Sequence, residues 1–62
     1  MMNNVYMKSY WQGYRAAKRT DENCGIDTVR NAHAYGLQGK SDAYCRGYAR
    51  YIRDRGRRGA HE

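Results

Sequence analysis

One motif occurs twice in this chain and limits how it can fold: Tyr-x-x-Gly-Tyr, at residues 10–14 and again at residues 44–48. Each copy lies within a helical pattern of apolar residues, so each glycine falls inside an expected helix. A glycine in a helix costs about 1 kcal/mol relative to alanine, which indicates a packing purpose. We therefore predict a close helix crossing at Gly13 and Gly47. The tyrosines of both motifs should pack around it: Tyr10, Tyr14, Tyr44 and Tyr48.

The apolar residues available for a core are mainly aromatic. The 62-residue chain has seven Tyr and one Trp but no Phe, and only five Val, Ile or Leu residues. A chain of this length forms one small domain, and ordering it costs about 1.5 kcal/mol per residue, which burial must offset. We therefore expect no large enclosed active site. No segment approaches the roughly 20 apolar residues of a transmembrane helix, so no membrane partner is expected.

The first basic segment predicts a long helix. Asn3 or Asn4 can cap it, and it should fray near Thr20, where the polar residues 21–23 begin a solvated turn that ends at Gly25. Its apolar face is formed by residues at three- and four-residue spacing: Met7, Tyr10, Tyr14 and Ala17.

The middle of the chain has a weaker pattern. Asp27 or Thr28 can cap a short helix that contains Val29 and stops near Gly36. The following residues, 39–42, are typical of a turn.

The last part of the chain predicts a second long helix. Ser41 is a suitable N-cap residue, and Gly56 should end the helix. One face carries Tyr44, Tyr48, Tyr51 and Ile52. The predicted fold is all-α: a small bundle of two long helices with room for a short third helix between them. We expect a single helical domain over residues 1–55 and a flexible, disordered arginine-rich tail over residues 56–62.

Charge points to an acidic partner. Twelve basic residues against six acidic ones give a net charge of +6, and both ends of the chain are basic while the middle is mildly acidic. Arginine binds phosphate through two hydrogen bonds and stacks on bases, and tyrosine adds flat stacking surface. This pattern favours nucleic acid as the partner. The expected phosphate-binding residues are Arg15, Arg19, Arg46, Arg50, Arg53, Arg55, Arg57 and Arg58.

A second hypothesis fits the same composition. Tyrosine and arginine dominate the energetics of protein interfaces, so the chain could instead be a small inhibitor, of the kind that phages and mobile elements encode. It would dock on an acidic surface of a host protein that processes nucleic acid or acts in immunity. The small core also allows a homodimer.

The remaining chemistry is sparse. Cys24, His33, Cys45 and His61 lack the spacing of a structural zinc site, so no metal and no cofactor are expected. Two cysteines in a chain that starts without a secretory signal favour reduced thiols and a cytoplasmic location.

Enzymatic activity is not expected either. Residues 39–41 read Gly-Lys-Ser, like the end of a phosphate-binding loop, but the first glycine of that motif would fall on Ala34. The chain is also too short for the sheet that such a loop requires.

The motifs also resemble those of the ribosome modulation factor family, which are very small, basic, cytosolic bacterial proteins. Residues 13–16 match the Gly-Tyr-x-Ala start of its first helix, and Cys24 falls near its loop cysteine. Residues 44–48 are similar to its Trp-x-x-Gly-Trp element, with Tyr in place of both Trp. Gly25 and Ile26 follow the cysteine here, where the family has Pro and an aromatic residue. The resemblance implies two short helices joined by a loop, binding to ribosomal RNA and inhibition of translation.

Overall fold

The computed structural model describes the backbone of residues 4–61 and the side chains of residues 5–57. Helix α1 comprises Asn4–Cys24, α2 comprises Ile26–Asn31, and α3 comprises Asp42–His61. A π-helical turn, Ala32–Gly36, continues α2 directly. All regular elements among the described residues are helical, which confirms the prediction of two long helices with a short one between them. The molecule measures 40 × 24 × 16 Å.

Helices α1 and α3 run parallel to each other. Near their N-terminal ends, one groove is lined by Val5, Tyr6 and Ser9 from α1 and by residues 41–43 at the start of α3. Farther along, the Tyr10 hydroxyl accepts a hydrogen bond from Arg50, and near the end of α1 Asp21 accepts one from Arg55. Successive positions on α1 therefore meet successive positions on α3. The α2 segment, the π turn and the loop after it carry the chain back to the starting end.

Helix α1 is longer than predicted. It continues past Thr20 to Cys24, and the chain turns at Gly25, which has a φ of 97°. The Gly25 N–H donates to the Asp21 carbonyl at 2.8 Å. The expected solvated turn does not form because contacts with α3 hold the Asp21 side chain and keep the last turn helical. Asn4 begins the helix, while Asn3 lies outside the described residues.

Helix α2 begins earlier than predicted. Its N-cap is Gly25, which makes no side-chain cap hydrogen bond, so neither Asp27 nor Thr28 caps it. The Thr28 hydroxyl instead donates to the Cys24 carbonyl at 3.3 Å. Ile26 packs against the core and draws the start of the helix back to this position. The π turn ends at Gly36, as the sequence predicts.

Helix α3 begins where the sequence predicts but ends later than predicted. The Ser41 hydroxyl accepts a hydrogen bond from the Tyr44 N–H at 3.2 Å, which confirms the N-cap. Gly56 does not end the helix, since α3 continues to His61. Arginine is a good helix former, and several arginines around Gly56 support helical backbone through it. The flexibility of residues 56–62 stays a prediction.

The core lies where all the helices meet. Its buried residues are Ala17, Val29 and Tyr48, while Ala43, which is also buried, lines the groove at the N-terminal ends. Partly buried residues surround it: Ala16, Ile26, Ala32, Leu37, Tyr44, Tyr51 and Ile52. Met7 was expected on the buried face of α1 but is 49% exposed, because it lies on the far side of Tyr10 from this core.

The two repeated motifs pack against each other at the α1–α3 crossing. A Cβ atom added to Gly13 would lie 2.8 Å from the Tyr44 carbonyl carbon. A Cβ atom added to Gly47 would lie 2.8 Å from the Tyr10 carbonyl carbon and 2.9 Å from the Tyr14 nitrogen. Real Cβ atoms essentially never come this close to backbone, so each glycine allows contact with the tyrosine segment of the other motif. The sequence repeat thus becomes a reciprocal contact in space.

Candidate nucleic-acid interface

Four arginines form an exposed stripe along α3, which we call the α3 arginine stripe: Arg46, Arg50, Arg53 and Arg57. Tyr48 points the other way, into the core and toward the π turn, where its ring stacks on His33 at 6.4 Å. Residues two or nine positions apart on a helix project to nearly opposite sides. The stripe therefore lies on the side of α3 that faces away from the core.

Two members of the stripe have carboxylate partners and two do not. Arg46 donates to Asp42 at 2.8 Å, but both side chains are mostly exposed. Arg50 lies 3.5 Å from Asp54, whose carboxylate also accepts from the Tyr14 hydroxyl at 3.3 Å. Arg53 and Arg57 form no ion pair with any described side chain. Exposed ion pairs contribute little, so a phosphate can replace Asp42 at low cost.

A row of aromatic rings lies beside this stripe. The Trp11 ring is 5.1 Å from Tyr10 and 5.4 Å from Tyr14, edge to face in both cases. Tyr14 in turn meets Tyr51 of α3 at 5.4 Å. The inner end of the row is part of the helix interface, while Trp11 at its outer end is 42% exposed.

A hydrogen bond joins the ring row to the arginine stripe. Arg50 Nη1 donates to the Tyr10 hydroxyl at 3.3 Å, and this contact raises the pKa of Arg50. Trp11, Tyr10 and Arg50 are therefore parts of one continuous surface. Sequence reasoning missed Trp11 as a site residue. The available signal is its position three residues after Lys8 and four before Arg15, which places it on the charged side of α1.

The predicted arginines of α1 lie outside the α3 arginine stripe. Arg15 and Arg19 are exposed and border a shallow depression with Gln12 and Ala16. Arg15 is two residues from Gly13, so it projects away from the helix crossing. The structure thus divides the predicted set between two helices, with Arg15 and Arg19 on α1 and the α3 arginine stripe on α3.

Arg55 has a structural contact. Its Nε donates to Asp21 at 2.8 Å, and the Asp21 side chain is only 9% exposed. The Tyr51 hydroxyl donates to the same carboxylate oxygen at 2.6 Å. These two bonds, from Tyr51 first and Arg55 second, lower the pKa of Asp21. Burial and the bond to Asp21 raise the pKa of Tyr51 to about 12. We therefore assign Arg55 to the helix interface. The Arg58 side chain lies outside the described residues.

The other tyrosines of the repeat serve mainly in packing. Tyr48 is buried, and its hydroxyl lies 3.4 Å from that of Thr20. Tyr44 is half-buried, and this burial raises its pKa. Lys40 lies over the Tyr44 ring, 5.2 Å from its centre.

The described residues were also compared with the requirements of a disulfide, a metal site and a membrane-spanning helix. Cys24 and Cys45 are both free thiols. Within residues 5–57, no three His, Cys, Asp or Glu side chains are grouped so that they could hold a metal ion. Across the described part of the chain, no helix combines the length and apolar character needed to cross a membrane.

No family model, no curated protein and no solved structure matches this chain. The resemblance to the ribosome modulation factor family therefore stays a prediction, based on the short motifs quoted above.

Proposed function

We propose that this chain is a non-enzymatic RNA-binding protein whose main phosphate contacts are made by the α3 arginine stripe. The observation that carries the proposal is the placement of Arg53 and Arg57, which are exposed, unpaired among the described side chains and directed away from the core. The resemblance noted above extends the proposal to ribosomal RNA and to modulation of translation.

The length of the stripe supports this proposal. From Arg46 to Arg57 the helix rises about 16 Å, with a guanidinium at nearly every turn. A row of this kind follows a phosphate backbone and needs no particular base sequence. The partner carboxylates do not cancel the charge, because four arginines face only Asp42 and Asp54 on this side of α3.

The test is the salt dependence of RNA binding. Replacing Arg53 and Arg57 together by Gln should weaken binding and reduce the slope of log K against log salt by about 1.4, or 0.7 for each lost contact with a single strand. The matched control replaces Arg30 and Lys40 by Gln, which removes the same charge from outside the stripe. Fluorescence anisotropy with a labelled oligonucleotide measures both. Equal slopes in the two variants would contradict the role of the stripe.

Ribosome binding needs its own measurement. The tagged protein should co-sediment with ribosomal subunits from bacterial lysate, and RNase should release it. If a host protein is retained at full yield after RNase treatment, the proposal is wrong and the inhibitor hypothesis takes its place.

A further inference from the structure

We propose that Trp11 is a stacking platform for one unpaired base, so that the ligand of this surface is single-stranded rather than duplex nucleic acid. This inference rests on the proposed function and specifies the class of RNA that the protein binds.

The geometry of Trp11 is unusual for a core aromatic residue. The chain has a single Trp, and it remains 42% exposed although the buried core is short of large apolar side chains. Tyr10 and Tyr14 hold it at interplanar angles of 80° and 66°. Neither tyrosine ring lies parallel to the indole, so the two contacts support its orientation, and the exposed part of the side chain is what a base would stack on.

Positive charge surrounds this ring on two sides. On α1, Lys8 and Arg15 are its neighbours at three- and four-residue spacing. On α3, Arg50 reaches Tyr10, which is in direct contact with the indole. A base on Trp11 would therefore have cations placed for the phosphates on both sides of its nucleotide.

Stacking requires a free base face. Inside a duplex both faces of each base are covered by neighbouring bases, and a side chain can insert between them only by unstacking a base step and bending the duplex, which opposes binding. In a single strand or a loop the base can turn out and stack on an aromatic ring. The α3 arginine stripe alone would not distinguish the two forms, so the distinction depends on Trp11.

The single Trp allows a direct test. With excitation selective for Trp, the fluorescence of the full chain should be quenched by a short poly(U) oligonucleotide, and much less by a hairpin duplex of equal length at the same occupancy. Occupancy is measured separately by anisotropy of the labelled nucleic acid.

Substitutions separate stacking from simple loss of structure. Trp11→Leu should weaken single-strand binding about 5- to 150-fold, the range for loss of one stacked base, and leave duplex binding unchanged. Trp11→Phe should restore part of the loss. Met7→Ala, an exposed apolar neighbour without a ring, is the matched control and should have no effect.

Three results would overturn the inference. If Trp11→Leu binds the single strand as well as the unaltered protein does, stacking is excluded but the proposed RNA binding stands. Equal weakening for both ligands would assign Trp11 a structural role. If the unaltered protein binds neither ligand at low salt, the proposed function itself fails.

Discussion

The two ends of the α1–α3 interface are held together in different ways. Toward the N-terminal ends, Gly13 and Gly47 bring backbone against backbone, and the contact is van der Waals packing without charge. Toward the C-terminal end of α1, the Asp21 carboxylate accepts hydrogen bonds from Tyr51 and Arg55. The first end depends on shape and the second on ionisation. Different perturbations should therefore weaken each end separately.

The largest effect is expected from Gly47→Ala. The new methyl group would overlap the backbone of Tyr10 and Tyr14, and backbone can move aside only by shifting a whole helix. Overpacking of this kind costs about 2–3 kcal/mol, a large part of the stability of so small a domain. Urea unfolding followed by circular dichroism measures the free energy of unfolding.

The control for this substitution is Gly56→Ala. Gly56 is also helical, but a Cβ atom there would meet nothing within 4 Å. Alanine should therefore stabilise α3 by up to about 1 kcal/mol. Destabilisation of the same size in both variants would contradict the close crossing.

A smaller effect is expected at the polar end. Tyr51→Phe removes one hydrogen bond to Asp21 but leaves Arg55 in place, and we expect a loss of about 1 kcal/mol in the free energy of unfolding. Tyr35→Phe, at a residue that is 78% exposed, is the control and should change nothing measurable. A loss as large as that of Gly47→Ala would mean that the two ends are not distinct.

The dependence of stability on pH should arise at the polar end. The pKa of Asp21 is lowered in the folded state, so its contribution is complete above its ordinary value near 4 and is lost as the pH falls through the folded value. Tyr51 behaves in the opposite sense. Its folded pKa is raised to about 12, so its contribution is complete below pH 10 and is lost as the pH rises toward 12.

Melting curves across the pH range test this expectation. Asp21→Asn should be less stable than the unaltered protein at neutral pH, and the difference should shrink in acid. Gly47→Ala should differ from the unaltered protein by the same amount at every pH. If the Asp21→Asn difference is also constant, the carboxylate does not hold this end.

The smallest effect is expected at Arg46. Its ion pair with Asp42 joins two exposed side chains of the same helix. Arg46→Gln should leave the melting temperature unchanged while weakening RNA binding. A clear fall in melting temperature would show that the stripe supports the fold as well as the proposed interface.

The sequence predicted the packing end better than the polar end. The Tyr-x-x-Gly-Tyr repeat and the Ser41 cap are local signals, and they are readable because glycine and serine at those positions have few other purposes. Asp21 and Arg55 are 34 positions apart, and nothing in either segment indicates that they meet. This contact extends α1 past Thr20. The predicted end of the helix was therefore wrong because the contact that determines it is not visible in the sequence.

Two further features depended on tertiary structure. Gly47 and Gly56 have the same helix propensity. They differ because α1 packs directly against Gly47, whereas nothing lies within 4 Å of a Cβ atom added to Gly56. The spacing of apolar residues likewise does not predict that α1 and α3 are parallel. It identifies the buried face of each helix but not the direction in which the two helices run relative to each other. Trp11 could have been singled out from its charged neighbours, but its exposure required the structure.

The parallel direction has an electrostatic consequence. Each helix carries a dipole equivalent to roughly half a negative charge at its C-terminal end, and parallel packing brings two such ends to one side of the molecule. Helix α1 has no basic residue in its own last turn to balance this charge. The Asp21 carboxylate adds a full negative charge at the same place, and Arg55, reaching across from α3, neutralises it. Without Arg55, the parallel pair would hold this carboxylate beside two negative helix ends, which an antiparallel pair would avoid.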